Sequence, residues 1–186
     1  MTFATDTIQA PARSEPRVER DDIVLDRPCV DDGAALWRIA RDSAVLDLNS
    51  SYSYLLWCRD FAATSVVARA ETDDVVGFVT GYRRPNADDT LVVWQVAVDA
   101  TYRGRGLAAS MVDHLLQQDR HRFLETTVTD DNLASQRLFS SVAARRSAPL
   151  KRTVLFDEEL FPEPDHRSEV LFRIGPLAGP STTDNP

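Results

Sequence analysis

The sequence has 186 residues, of which 43% are hydrophobic and 27% are charged. This length allows one well-buried core but not two ordinary domains, and the composition is that of a globular protein. The net charge of −8, without a face rich in Lys and Arg, excludes a nucleic-acid-binding role, because phosphate binding needs a concentrated cationic surface. A negatively charged protein is suited to a cationic substrate, and it is equally suited to a cytosol of high salt concentration. The composition does not distinguish these two explanations.

The two ends differ in composition from the rest. Residues 1–21 and 176–186 are polar and contain proline, so we expect disordered tails on either side of a single domain at 22–175. The N-terminal segment has no apolar run that could act as a secretory signal or a membrane span, which favours a cytoplasmic protein without a membrane partner.

Hydrophobic periodicity and turn residues predict the element order β-α-α-β-β-β-α-β-α-β-β. The predicted elements are, in chain order, strand 23–28, a helix from 33, an irregular break at 46–51, helix 52–61, strands 64–71, 75–84 and 90–98, helix 107–119, strand 123–129, helix 133–143, and strands 150–156 and 169–174.

This order determines the predicted fold class. Short turns join the three strands between 64 and 98, so these strands should be antiparallel. The strand–helix–strand passage at 90–129 requires a right-handed crossover between parallel strands. We therefore predict an α/β fold with a mixed, mainly antiparallel central sheet, one central parallel strand pair and flanking helices. The nearly continuous apolar run at 90–98 predicts a strand buried on both faces.

A glycine- and arginine-containing turn follows that strand and leads directly into a helix. Its residues are Arg103, Gly104, Arg105, Gly106, Leu107 and Ala108. The glycines allow a ligand to approach the backbone closely, and the N–H groups at the helix start would face an anion. The two arginines add donors suited to phosphate oxygens. Taken alone, the pattern fits a solvated surface turn equally well, and the longer glycine-rich phosphate motifs are absent.

The whole stretch QVAVDATYRGRGLA resembles the CoA-binding segment of the GNAT N-acetyltransferases, whose pattern R/Q-x-x-G-x-G/A is met by Arg103, Gly106 and Ala108. Downstream, Asn132 and Ser135 before Leu-Phe resemble the next motif of that family. The resemblance covers roughly residues 22–175. It implies the GNAT fold, acetyl-CoA as co-substrate and no metal.

By the same resemblance, the backbone of Val96, Ala97 and Val98 binds pantetheine and the thioester, and Asn132 with its helix meets the pantetheine arm. Asp130–Asn132 also has the composition of a helix N-cap. One position departs from the family: many members carry a tyrosine at Phe139 as the general acid for the leaving thiolate. Phenylalanine cannot donate a proton, so the acid is unassigned.

Further segments resemble the branch of the family whose members acetylate L-2,4-diaminobutyrate at N4 in ectoine biosynthesis, generally as homodimers. They are LDLNSSYSYLL (46–56), TSVVA (64–68), VVGFVTGY (75–82), DTLVVWQVAV (89–98), ETTVTDDNLAS (125–135) and the closing LF…H…LFRI. The implied partner is a small diamine with two ammonium groups and one carboxylate.

Such a ligand needs anions, an aromatic face and polar contacts. The candidates are Asp47, Asn49, Tyr52, Trp94, Glu125 and His166. Asp47 and Glu125 could supply the anions, and Trp94 a cation–π face. Each residue alone has a plainer interpretation as a helix cap, a core residue or a solvated side chain. Only the joint pattern favours the site.

The attacking amine must lose a proton, because an alkylammonium with a pKa of about 10.4 is only about one part in a thousand nucleophilic at neutral pH. Glu125 is the predicted catalytic base. Neither Cys29 nor Cys58 is placed as a covalent relay, so transfer should be direct. The acidic, aromatic loop 156–166 is either a lid that presents His166 or a solvated connection.

Two other functions fit the same residues. One is a GNAT enzyme for another amine, such as lysine, ornithine, a polyamine or a peptide N-terminus. The other is a non-catalytic acyl-CoA-binding module, which the phenylalanine at 139 would suit.

Overall fold

The computed structural model describes residues 23–43, 46–118, 121–163 and 166–178. These residues form seven strands and four α-helices in the predicted order. The strands are β1 Val24–Asp26, β2 Val66–Arg69, β3 Val75–Arg84, β4 Ala87–Val98, β5 Phe123–Val128, β6 Leu150–Phe156 and β7 Glu169–Ile174; the helices are α1 Gly33–Ser43, α2 Ser51–Asp60, α3 Leu107–Gln118 and α4 Leu133–Arg145.

All seven strands form one sheet in the order β1-β2-β3-β4-β5-β7-β6. Only β4 and β5 are parallel, and the five other neighbouring pairs are antiparallel. The parallel pair is joined through α3, as a crossover connection requires. The predicted mixed sheet with one central parallel pair is confirmed.

The core lies on both faces of the sheet, because successive strand residues point in opposite directions. On one face Val79 belongs to a buried cluster with Met111 of α3 and Phe139 of α4. On the other face Phe78 packs in a second cluster with Tyr54 of α2. The helices therefore cover the sheet on both sides.

The sheet opens between β4 and β5. Their pairing ends at Val92 and Glu125, after which β4 stays paired with β3 as far as Val98 and β5 with β7 as far as Val128. The β3–β4 register shifts so that Trp94 is an extra residue, a β-bulge. Trp94 is 52% exposed, so the predicted burial of β4 on both faces is wrong at this residue. The bulge turns its ring out of the core.

Residues 1–22 and 179–186, which contain most of the two predicted tails, lie outside the described residues. Leu177 is described and buried, and its backbone N–H donates to the Arg122 carbonyl at 2.8 Å. The packed chain thus continues past the predicted boundary at residue 175. In the described part of the chain, no helix is long and apolar enough to cross a membrane.

Candidate active site

The turn after β4 borders a cavity of about 360 Å³, which we call the turn cleft. Asp99 starts the turn by accepting hydrogen bonds from the Thr101 backbone N–H at 2.9 Å and hydroxyl at 2.7 Å, and these bonds lower the pKa of Asp99. Gly104 and Gly106 have φ of 78° and 76°, the left-handed region that favours glycine. A Cβ at either position would meet no atom of the described chain within 4 Å. The glycines therefore serve the backbone conformation and leave space for a ligand.

The turn cleft contains every predicted cofactor residue except Arg105. Its lining includes Val96, Ala97, Val98, Arg103, Gly104, Gly106, Leu107, Ala108, Asn132 and Ser135. The Arg105 guanidinium instead lies 5.0 Å from the centre of the Tyr102 ring and donates to the Thr101 carbonyl at 3.3 Å.

Backbone donors and one guanidinium face this cleft. Helix α3 begins at Leu107, so the N–H groups of its first turn have no partner within the helix. The Arg103 Nε donates to the Val98 carbonyl at 3.0 Å, which ties the arginine to the end of β4. The combination fits an anionic ligand such as a diphosphate.

The opposite wall of the cleft is the start of α4. The Asn132 side chain accepts a hydrogen bond from the Ser135 backbone N–H at 3.0 Å, so the predicted N-cap is confirmed. Asn132 and Leu46 line the turn cleft and also a second cavity. The two cavities are therefore neighbours that share these residues.

The second cavity, of about 860 Å³, occupies the opening between β4 and β5, and we call it the gap cavity. Five of the six predicted substrate residues line it: Asp47, Asn49, Trp94, Glu125 and His166. Tyr52 is 64% exposed on α2 and is outside this lining. Segments far apart in the sequence therefore meet here.

Glu125 is buried at the point where β4 and β5 separate. Arg84 donates to both of its oxygens, at 3.1 Å and 2.8 Å, and Arg173 lies directly opposite on β7 and donates to Oε1. Arg84 also lines the gap cavity. A carboxylate offers about four acceptor directions, so Glu125 keeps capacity for a further donor.

Trp94 belongs to an aromatic cluster on the wall of the gap cavity. Its ring stacks on Trp57 with centroids 6.1 Å apart and planes at 25°, and Trp57 also contacts Phe61 and Tyr82. Tyr82 lines the cavity as well. Trp94 itself lines the cavity, so its ring lies where a cation could bind.

His166 lies at the far side of the gap cavity, with its ring stacked on Phe161 at a centroid distance of 3.6 Å. Its neighbour Arg167 forms ion pairs with Asp130 at 3.2 Å and Asp131 at 3.1 Å. The segment that carries His166 is thus linked to the loop before α4. These pairs are exposed, so each stabilises the link only slightly.

Three side chains contribute no chemistry to either cavity. Phe139 is 1% exposed in the core, where it is a packing residue. Cys58 is buried, and burial raises its pKa to about 12. Its thiol therefore cannot act as a nucleophile at neutral pH. Cys29 is exposed and lines neither cavity. Among the described residues, no cluster of His, Cys, Asp and Glu could hold a metal ion.

The model of the Acetyltransferase (GNAT) family matches residues 34–142, more than half of the chain. The chain belongs to the GNAT acetyltransferase family. An L-2,4-diaminobutyric acid acetyltransferase of Streptomyces coelicolor is 66% identical over 84% of this chain and 95% of its own length. One from Streptomyces anulatus is 59% identical over 87% and 94%.

Solved structures agree with this assignment. Diaminobutyrate acetyltransferase EctA from Paenibacillus lautus, in complex with its substrate L-2,4-diaminobutyric acid and coenzyme A, is 41% identical, with a TM-score of 0.81. The alignment covers 86% of this chain and 98% of that one. The family resemblance predicted from the sequence is confirmed.

Sequence reasoning missed several residues of this GNAT site. Arg84 and Glu169 line the gap cavity. Gln95 is buried, whereas its neighbour Trp94 is exposed. Gln95 had a readable signal, since a lone amide within an apolar strand must find hydrogen-bond partners. Arg84 had none, because its contact with Glu125 joins residues 41 positions apart.

Proposed function

We propose that this enzyme transfers the acetyl group of acetyl-CoA to the 4-amino group of L-2,4-diaminobutyrate, giving N4-acetyl-L-2,4-diaminobutyrate for ectoine synthesis. The observation that carries the proposal is that β4 forms one wall of both cavities, from Val92 to Val98. A thioester lying along the end of this strand is beside an amine in the gap cavity. The names of the 66% and 59% identical relatives support the choice of acceptor.

The turn cleft binds the donor. The backbone N–H groups around Gly104–Leu107, together with Arg103, hold the diphosphate, and the space beyond the two glycines fits it. Asn132 and the β4 edge at Val96–Val98 hold the pantetheine arm. An N–H group of this edge donates to the carbonyl oxygen of the thioester. That bond strengthens as negative charge develops on the oxygen, which lowers the barrier.

The gap cavity binds the acceptor. Asp47 and Glu125 supply negative charge for the two ammonium groups, and the Trp94 ring supplies a cation–π face. Asn49 and His166 supply polar contacts. Tyr52 lies outside the lining of the cavity, and its contact with the substrate stays a prediction from the sequence. An acidic wall beside an aromatic face favours a diamine over a neutral or anionic acceptor.

Glu125 accepts the proton of the attacking ammonium. It is the buried carboxylate nearest the point where β4 and β5 separate, so it faces the space between donor and acceptor. Arg84 and Arg173 hold its orientation. The attack is direct: the amine nitrogen bonds to the acetyl carbon and the carbon–sulfur bond breaks. The nitrogen loses its second proton to solvent, and the leaving thiolate takes a proton from solvent, because Phe139 has none to give.

We also propose that the enzyme is cytoplasmic and that it is a homodimer. β6 is an edge strand whose Val154, Leu155 and Phe156 are 56%, 42% and 46% exposed. An exposed apolar edge strand is suited to pairing with a second copy. Sedimentation of Val154→Lys tests the dimer: the wild type should sediment as a dimer and the variant as a monomer, and a monomeric wild type would overturn it.

A thiol-release assay tests the function. Purified enzyme with acetyl-CoA and L-2,4-diaminobutyrate should release CoA, and NMR of the product should place the acetyl group on N4. Lysine, ornithine, spermidine and a peptide N-terminus serve as competing acceptors and should react at least about tenfold more slowly, as expected when one contact is lost.

Three results would overturn the proposal. A faster reaction with another amine would assign a different acceptor, and acetylation at N2 would refute the regiochemistry. Thermal stabilisation by acetyl-CoA without CoA release in the presence of any of these amines would indicate a non-catalytic module.

A further inference from the structure

A buried polar pair supports the wall of the gap cavity that carries Asp47 and Asn49, and one of its members, Gln95, is part of the cavity lining. Tyr54 of α2 is 0% exposed and Gln95 of β4 is 7% exposed. The Tyr54 hydroxyl donates to the Gln95 Oε1 at 3.0 Å, and the Gln95 Nε2 donates to the Asp47 carbonyl oxygen at 2.8 Å. The amide of Gln95 thus bridges a helix and the segment before it.

The other end of that segment lies beside the same phenol. Burial raises the pKa of Tyr54, and the neighbouring Asn49 and Gln95 oppose the rise. Residues 47–50 lie between α1 and α2 and belong to neither a helix nor a strand. The Tyr54–Gln95 pair therefore holds a segment that has no regular structure of its own.

The bulge at Trp94 explains how β4 can place one side chain at the cavity and the next one in contact with the 47–50 segment. Thr80 is opposite Gln95 and Gly81 is opposite Val93, so Trp94 is the extra residue. The Trp94 side chain is exposed and Gln95 is buried, and both residues line the gap cavity. Burying an amide and a phenol costs free energy unless both are hydrogen-bonded. Here the bonds that satisfy them end on the cavity wall rather than elsewhere in the core.

We infer that Tyr54 and Gln95 are positioning residues, which hold Asp47 and Asn49 in the geometry that binds the diamino acid. The pair lies outside the turn cleft, so it acts on the acceptor and not on acetyl-CoA. The functional part of this inference rests on the proposed function. The structural part, that the pair orders residues 47–49, is independent of which amine is the substrate.

The test uses Gln95→Met and Tyr54→Phe, which remove the polar atoms and keep the side-chain size. Thr80→Val is the matched control, because Thr80 is 1% exposed, lies opposite Gln95, and has a hydroxyl without a hydrogen-bond partner in the described part of the chain. Each variant is measured for kcat, for KM of both substrates, and for hydrogen–deuterium exchange of the peptide that contains residues 46–50.

In both test variants we expect the KM for L-2,4-diaminobutyrate to rise about tenfold, as the loss of a buried hydrogen bond allows. The KM for acetyl-CoA should stay within about twofold, in keeping with coupling limited to neighbouring groups. Exchange of the 46–50 peptide should become faster in both variants and stay at the wild-type rate in Thr80→Val.

Unchanged exchange in both test variants would overturn the inference, as would an equal rise in both KM values. If the wild type does not acetylate diaminobutyrate, the proposed function fails, and the exchange experiment still decides whether the pair orders the segment. If Gln95→Met does not fold, Tyr54→Phe decides, since it deletes only one oxygen.

Discussion

The turn cleft and the gap cavity are built in different ways. The turn cleft is made largely by one continuous stretch, from Val96 to Ala109, with Asn132 and its helix on the other side. The gap cavity collects side chains from the α1–α2 connection, from β3, β4 and β5, and from the segment before β7. A site made by contiguous backbone can be recognised from a motif, whereas a site made by distant side chains depends on the register of the strands.

This difference predicts which substrate each substitution affects. Changes in the turn should alter acetyl-CoA binding alone, and changes in the gap cavity should alter reaction with the amine alone. The predictions below test that separation, from the largest expected effect to the smallest.

Glu125→Gln should lower kcat by about 100-fold or more, the range seen when a general base is removed, with acetyl-CoA affinity unchanged. Steady-state kinetics measure kcat, and calorimetric titration measures the affinity for acetyl-CoA. Arg84→Met is the control, because it breaks the same ion pair and keeps the carboxylate. Equal losses of kcat in the two variants would mean that the ion pair, and not proton transfer, is the function of Glu125.

Gly106→Val should raise the KM for acetyl-CoA by about tenfold or more, since a branched residue at φ 76° costs about 1–2 kcal/mol and narrows the cleft. The KM for the amine should not change. Gly106→Asn, which tolerates the left-handed region, should recover much of the loss. An equal rise in both KM values would contradict the separation of the two cavities.

Trp94→Leu should raise the KM for L-2,4-diaminobutyrate by about 5- to 10-fold, the size expected for one partly desolvated cation–π contact. Trp57→Leu serves as the matched variant, because Trp57 stacks on Trp94 but is not part of the cavity lining. Its effect should be smaller. A larger effect at Trp57 would show that stacking, and not contact with the cation, is what Trp94 provides.

The smallest effect concerns pH and lies outside both cavities. Burial and the nearby Arg83 lower the pKa of His121. In the unfolded chain His121 takes up a proton below about pH 6.5, whereas in the folded chain it stays neutral to a lower pH. The unfolding free energy should therefore fall as the pH drops below about 6.5, and it should not change above that pH. Urea denaturation of His121→Gln should show a shallower fall in this range. The same slope in both proteins would contradict the assignment.

Several features could be predicted from the sequence because their causes are local. The strands Val75–Arg84, Leu150–Phe156 and Glu169–Ile174 begin and end where predicted, since short runs of apolar and β-branched residues between turn or loop residues define them. The Asn132 cap and the glycine turn follow from neighbouring backbone groups in the same way. The predicted cofactor residues from Val96 to Ala108, except Arg105, line the turn cleft for the same reason.

Other features required the tertiary structure. No local pattern places a bulge at Trp94, because it arises from the pairing of β4 with β3. Nor does any motif bring Arg84 and Arg173 to Glu125, Tyr54 to Gln95, or Gln95 to Asp47; these contacts join residues 41 or more positions apart.

The sequence by itself thus determined the order of the elements, the mixed sheet and the glycine turn after β4, since each depends on interactions between near neighbours. The tertiary structure alone decided the shape of the gap cavity and the partners of its charged and amide groups. The physical reason is that strand register and the splaying of β4 from β5 are set by packing across the whole sheet.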